Sequence, residues 1–256
     1  MVLRTKLRDC LYLNWAIPAP ALPELPEPLR HELHAARGRE WGFASALLFH
    51  QEGLRFRALP FVRLSYPQLN LRLTVLDGEG LPAVWFRRMV VPAWVVPAAR
   101  LVAGSPVRAG RLDFPRPSQD PEAEAWSWRV GGDGGFAVTA RRGAPAAGAG
   151  PDLGSWEATV RYFRERRRGY VGDGGSLRRI DTHQPDTPAW PVKAEVSGLE
   201  WVAACLGLGE GGAGELSRGL HSAWLCPEMA MTFELAPARE VAEPVRRRVP
   251  SVPAAG

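Results

Sequence analysis

Tyr66-Pro67-Gln68-Leu69-Asn70-Leu71-Arg72-Leu73-Thr74-Val75 alternates with period two. Leu69, Leu71, Leu73 and Val75 point to one side, and Gln68, Asn70, Arg72 and Thr74 to the other. That is the pattern of a β-strand with one apolar and one polar face. The polar face carries two amides, a guanidinium and a hydroxyl, and no Lys or Glu. Solvated strand faces usually carry some of those strongly hydrated charges. Fixed amide and guanidinium donors also suit a water-filled or ligand-filled cavity. The pattern alone leaves both a lumen-facing row and an ordinary wet face open.

Working outward, strands dominate the reading. Residues 10–17, 41–50 and 54–62 read as extended, and Asp77-Gly78-Glu79-Gly80 is a hairpin connection to a partner strand at 82–88. Prolines at 18, 20, 23, 26 and 28 enforce an extended path, because each fixes φ and disfavours helix before it. One or two helical turns are expected at 29–36. Residues 92–103 fit a helix with Pro near its start and Gly104 past its end, with Pro97 as a kink or early break. Strands follow at 106–114, 124–130 and 136–142. Ser155 and Glu157 start a helix running to about Arg167, since Ser caps and Glu suits the first turn. Strands are expected near 177–183, 190–205, 220–226 and 229–235, with a Gly-rich loop holding up to one turn at 206–216. Residues 1–238 thus read as a single, mainly β (α+β) domain, and the Pro/Ala/Arg-rich residues 239–256 as a disordered tail.

Composition narrows the classes. At 256 residues the chain is long enough to bury roughly 70–75% of its unfolded surface without a metal or disulfide staple. The formal charge of +5 invites a nucleic-acid partner. However, Lys6 and Lys193 are the only lysines, so the basicity is an arginine skew in a chain rich in Ala, Gly and Pro. The run Arg164-Glu165-Arg166-Arg167-Arg168 lacks interleaved aromatics and reads as a solvated helix face with one Arg turned inward. No nucleic-acid or membrane partner is expected, and the oligomeric state is left unassigned. No apolar run approaches the ~18–20 residues that span a bilayer. A leader peptide at the N-terminus is disfavoured by Asp9, Asn14 and Pro18.

Cys10, Cys205 and Cys226 are odd in number and form no CxxC, which fits buried thiols in a reducing, cytoplasmic compartment. No metal or other cofactor is expected: His31 and His34 lack a completing carboxylate or Cys. The loop Gly131-Gly132-Asp133-Gly134-Gly135 lacks the order of a phosphate cradle. There is no Ser-His-Asp order and no nucleophile elbow.

Several segments together resemble a known bacterial family. They are Leu13-Asn14-Trp15 with Pro18 and Pro23, Gly42-Phe43-Ala44, Pro67-Gln68-Leu69-Asn70-Leu71-Arg72, Val84-Trp85-Phe86 and Ala98-Ala99-Arg100. A second block is Tyr162-Phe163, Arg166, Arg168-Gly169-Tyr170, His183 and Trp190-Pro191. The chain resembles the uncharacterised family known as domain of unknown function 2071, grouped with acetoacetate decarboxylase, over most of residues 10–235. The resemblance implies a cone-shaped, mostly antiparallel β-barrel with a few short outer helices and a pocket in the cone. A barrel strand has one face in the lumen, so Gln68, Asn70 and Arg72 become expected pocket residues, with Arg108 nearby.

The resemblance also bears on chemistry. Acetoacetate decarboxylase acts through a lysine Schiff base whose iminium accepts the electrons of decarboxylation. The matching segment is Gly104-Ser105-Pro106-Val107-Arg108, where Val107 and Arg108 fill the two lysine places. Arg remains protonated and cannot replace a nucleophilic amine. Lys193 alternates with Glu195 and is expected to face outward. Gln68 and Asn14 stand where the family tends to carry Glu and His, which leaves fewer proton carriers. Expected ligand-binding residues are therefore Gln68, Asn70, Arg72, Arg108 and Arg166, with His183 the one general-base candidate near the family block. Three functions stay open. One is a lumen that binds a small carboxylate or oxygenated metabolite without Schiff-base chemistry. Another is a lyase or hydrolase of the same superfamily using His183 and the polar strand. The third is a protein-interaction module with a barrel filled by Trp15, Trp85 and Trp126.

Overall fold

The computed structural model describes residues 1–57, 59–103, 107–131, 135–145, 148–172 and 177–235. The expected disordered tail at 239–256, the Gly104-Ser105-Pro106 segment and the middle of the 131–135 loop lie outside the described residues. In chain order the elements are β1 (Val2–Pro18), β2 (Arg30–His31), β3 (His34–Ala36), β4 (Arg39–Phe56), β5 (Leu59–Leu76), β6 (Pro82–Val91), α1 (Val96–Ala103), β7 (Val107–Ala109), β8 (Arg111–Asp113), β9 (Trp126–Gly131) and β10 (Phe136–Arg142). Then come α2 (Trp156–Arg164), β11 (Arg168–Val171), β12 (Arg178–His183), β13 (Trp190–Ser197), α3 (Leu199–Leu206), α4 (Gly212–Arg218) and β14 (Leu220–Leu235).

Pairing runs β1–β4–β5–β6–β11–β12–β14, and β14 pairs back onto β1 from Val2↔Glu234 to Trp15↔Leu220. The hydrogen-bonded path therefore closes into a ring and leaves these strands without a free edge between them. All its pairs are antiparallel except β6–β11. A second sheet, β13–β10–β9–β8, branches from β14 where Trp190 and Pro191 pair with Leu225 and Trp224.

This second sheet explains why the opening strand buries both faces. Leu69, Leu71, Leu73 and Val75 are each 0% exposed. They share one apolar core with Trp126 and Trp128 of β9, Phe136 and Val138 of β10, and Val202 and Leu206 of α3. Burying each such side chain is worth roughly 1.5–3 kcal/mol, and a one-residue slip would turn all four around. The register is therefore strongly specified. The polar face of β5 must then face into the ring, where α2 packs Val160 and Phe163 into a second cluster with Tyr12, Phe43, Leu47 and Trp224. The Ser155 hydroxyl caps α2 by accepting from the Ala158 N–H at 3.2 Å.

Five local expectations need correction. Residues 29–36 form the strands β2 and β3 rather than helix, because β5 and β4 offer them hydrogen-bonding edges. The strand expected over 190–205 stops at Ser197. Gly198 takes φ +76°, which favours glycine, and the short apolar run after it is α3. The turn allowed within 206–216 is the longer helix α4, which begins at Gly212 and runs to Arg218. The helix expected to reach about Arg167 ends at Arg164. The helix expected over 92–103 is a 3-10 turn at Ala93–Val95 followed by α1, so Pro97 does not end it. That proline falls in the first turn of α1, where the missing N–H has no intrahelical role.

Candidate functional site

A cavity of about 160 Å³ lies inside the ring. Gln68, Asn70 and Arg72 of β5 line it together, with Tyr12 of β1, Thr182 of β12, Gln184, and Arg164 and Arg166 from the end of α2. The rest of its wall is largely apolar, including Leu64, Met89, Val95, Ala99, Val107 and Phe233. Trp15, Trp85 and Trp126 do not fill the lumen. All three belong to the core outside the ring.

The polar row is only partly satisfied by the protein. Gln68 Nε2 donates to Asn70 Oδ1 at 2.7 Å, which fixes both amides and leaves Asn70 Nδ2 without a partner among the described residues. Arg72 is 9% exposed. Its Nη2 donates to the Phe163 carbonyl at 3.0 Å, its Nε is buried without a partner, and its guanidinium lies 5.7 Å from the Tyr12 ring centroid. Among the described residues no carboxylate pairs with it. Burial pushes its pKa down, the expected direction for a cation removed from water. Burial likewise pushes the Tyr12 phenol well up, so Tyr12 stays protonated at neutral pH.

The other two arginines are committed to the scaffold. Arg166 lies in the cavity wall but its fork grips Glu32, with Nη1–Oε2 at 2.5 Å and Nη2–Oε1 at 3.3 Å, and its Nε donates to the Tyr162 carbonyl. Arg164 donates to the carbonyls of Thr187 and Pro185. Three guanidiniums thus meet at this end against one paired carboxylate, Glu32. The arrangement favours an anion; Arg164 Nε, like Arg72 Nε, is buried without a partner, but of the three arginines only Arg72 has a single hydrogen bond, to the Phe163 carbonyl, among the described residues.

Two expected residues fall elsewhere. Arg108 is exposed and donates to the carbonyl of its own neighbour Val107, while Val107 lines the cavity. Alternation along β7 allows only one of the two to face inward. The same rule removes His183. Along β12, Ile180 and Thr182 face the cavity, so His183 points out, with its side chain 58% exposed and 4.0 Å from Glu234. Neither lysine lines the cavity: Lys193 is exposed, and Lys6, 52% exposed, pairs with Glu228. Asn14 is also absent from the wall, held instead by Ser45 and Ser222.

Residues not anticipated at the site are Tyr12, Arg164, Thr182 and Gln184. The period-two pattern at 178–183 carried a signal for Thr182, and the inward Arg of the 164–168 run proved to be two. Arg164, Arg166, Thr182 and Gln184 also line an outer groove beside residues 185–189, so the cavity and that groove share a wall. Among the described residues no cluster of His, Cys, Asp or Glu could hold a metal ion. No described helix is long and apolar enough to cross a membrane.

The family model of domain of unknown function 2071, described as an uncharacterised conserved protein, matches residues 4–208. No curated protein matches the chain significantly by sequence. Among solved structures, the fold is similar to the enduracididine biosynthesis enzyme MppR complexed with pyruvate. That match has 12% identity and a TM-score of 0.56, covering 93% of this chain and 90% of that one. It is also similar to the same enzyme complexed with the condensation product of pyruvate and imidazole 4-carboxaldehyde, at 12% identity and TM-score 0.56, covering 93% and 88%. An acetoacetate decarboxylase-like enzyme from Sphingomonas wittichii RW1 matches at 16% identity and TM-score 0.53, covering 92% and 91%. The fold is acetoacetate decarboxylase-like.

Proposed function

The chain belongs to the domain of unknown function 2071 family, and from its cavity we propose that it binds a small carboxylate, or a related oxygenated metabolite, inside the strand ring without Schiff-base chemistry. The observation that carries this reading is Arg72, a buried guanidinium with free donors and no carboxylate partner among the described residues. An isolated buried cation is costly unless something pairs with it, and a carboxylate accepts a guanidinium bidentately. Asn70 Nδ2 supplies a further donor on the same face. The similar enzyme MppR is described with pyruvate bound, which is a carboxylate of this class.

The same reading makes the protein a binder rather than a decarboxylase of the lysine type, since no lysine reaches the cavity. A lyase or hydrolase built on His183 loses support from that residue's outward position. Three buried free thiols fit a reducing, cytoplasmic setting.

A thermal-shift panel of carboxylates against the matching primary amides tests the proposal. A ligand at 100 times its Kd adds about 2.7 kcal/mol of stability. Carboxylates should raise the melting temperature and the amides should not. Equal shifts from both, or none from any carboxylate, would refute it.

A further inference from the structure

The proposed carboxylate site has a second half. Along β5 the lining side chains run Arg72, Asn70, Gln68, Tyr66, Leu64, from charged through amide to apolar. At the Leu64 end the wall is Leu54 of β4 with Val95 and Ala99 around α1, while Met89 sits across from Asn70, Val107 beside Met89, and Phe233 across from Thr182. Every charged lining residue is an arginine at the other end, on β5 or on the α2 terminus. Two uncharged polar groups also lie outside the β5 row near this wall, Gln51 on the rung of Tyr66 and Thr182 on the rung of Phe233, the latter already donating to the Arg166 carbonyl. A second carboxylate, a ketone or a hydroxyl at the apolar end would lose its hydration with few donors to replace it. An alkyl or aryl body there would gain from leaving water.

We propose that the ligand is an amphipathic monocarboxylate of about six carbons in all, its carboxylate on Arg72 and its apolar body toward Val95, Ala99 and Phe233. This rests on the carboxylate reading above and narrows it. The size follows from the volume: an apolar cavity of roughly 150 Å³ takes up benzene, and this one measures about 160 Å³. Dicarboxylates and short keto acids are the wrong shape for it, because their second polar group would face Leu64 and Phe233.

Calorimetric titration of the full chain with acetate, butyrate, hexanoate, decanoate, pyruvate and succinate tests the class. Each added methylene should tighten binding about fourfold up to hexanoate, and the gain should stop by decanoate. Pyruvate and succinate should bind more weakly than butyrate. Ala99→Phe should remove the chain-length gain while acetate binding stays, and Ala99→Leu, a smaller change, should shift the optimum to a shorter chain. If pyruvate or succinate binds tighter than hexanoate, or if affinity ignores chain length, the amphipathic class is wrong while the carboxylate site stands. If no carboxylate binds at all, both fall together.

Discussion

Replacing Arg72 by Met separates a residue kept for a ligand from one kept for the fold. Met matches the arginine stem in length and removes the charge. The loss to the free protein is one charge-assisted bond, from Nη2 to the Phe163 carbonyl at 3.0 Å, worth about 1.5–3 kcal/mol. The gain is relief from desolvating a guanidinium that is 9% exposed, has a buried unpartnered Nε and no carboxylate partner among the described residues. The effective penalty for a buried ion is several kcal/mol. The gain outweighs the loss, so Arg72→Met should be about 1–2 kcal/mol more stable when free. For a domain of this size that is a rise of about 2–8 °C in Tm. Carboxylate binding should weaken about 10- to 150-fold, the equivalent of one lost charge-assisted bond. Scanning calorimetry with and without a saturating carboxylate reads both effects. A variant destabilised by more than about 3 kcal/mol with unchanged carboxylate affinity would refute the reasoning, since Arg72 would then be a strut for Phe163.

Asp77, 1% exposed, accepts from Arg168 at 2.6 Å, Tyr170 at 3.2 Å and the backbone N–H groups of Glu79 and Leu81. Burial pushes its carboxyl up, but these bonds outweigh burial and hold it below the usual range. Asp77→Ala should cost about 1–3 kcal/mol by leaving the Glu79 and Leu81 N–H groups without their acceptor, while Arg168 keeps Glu79 as a partner, read as a lower urea midpoint; no measurable loss would show that the turn holds itself. Acid should also destabilise the fold. Burial lowers the pKa of His31, His34, His50 and His221, and bonds to the Pro23, Pro115 and Pro151 carbonyls offset this in part for His31, His50 and His221. The folded state then binds fewer protons than the unfolded one. The stability is fully present above the unfolded value near pH 6.5 and falls as pH drops below it. Urea midpoints at pH 7.5 and 5 check the sign, and an unchanged or higher midpoint at pH 5 contradicts it. Borohydride added with acetoacetate should trap no adduct, because Lys6 and Lys193 lie outside the cavity; a reduced adduct on Lys193 by mass spectrometry would overturn that placement.

The errors of sequence reading share a cause. Residues 29–36 and 199–206 are short and lack a decisive period. Their state was set by partners far along the chain: the edges of β5 and β4 for β2 and β3, and the core with β10 and β5 for α3. At Val2–Pro18 the opposite happened. Leu3, Thr5 and Leu7 alternate with Arg4, Lys6 and Arg8, a strand signal in plain view. The expected strand at 10–17 therefore extends back to Val2, and its inward parity puts Leu3 and Leu7 in the cavity wall. Arg108 and His183 failed through parity. Resemblance placed them near the site, but a strand sends alternate side chains to opposite faces.

The segment 66–75 shows how far sequence alone reaches. Period two made it a strand, four aliphatics marked one face as core, and the amides and guanidinium marked the other as unusual for open solvent. Which way that face pointed was not in the segment. Closure of β14 onto β1 made an inside, and the second sheet covered the aliphatic outside. α2 then brought Arg164 and Arg166 from nearly a hundred residues away. Sequence determines which side chains share a face because that is local stereochemistry. Only the closed tertiary structure decides what a face looks at, because that depends on pairings between distant strands.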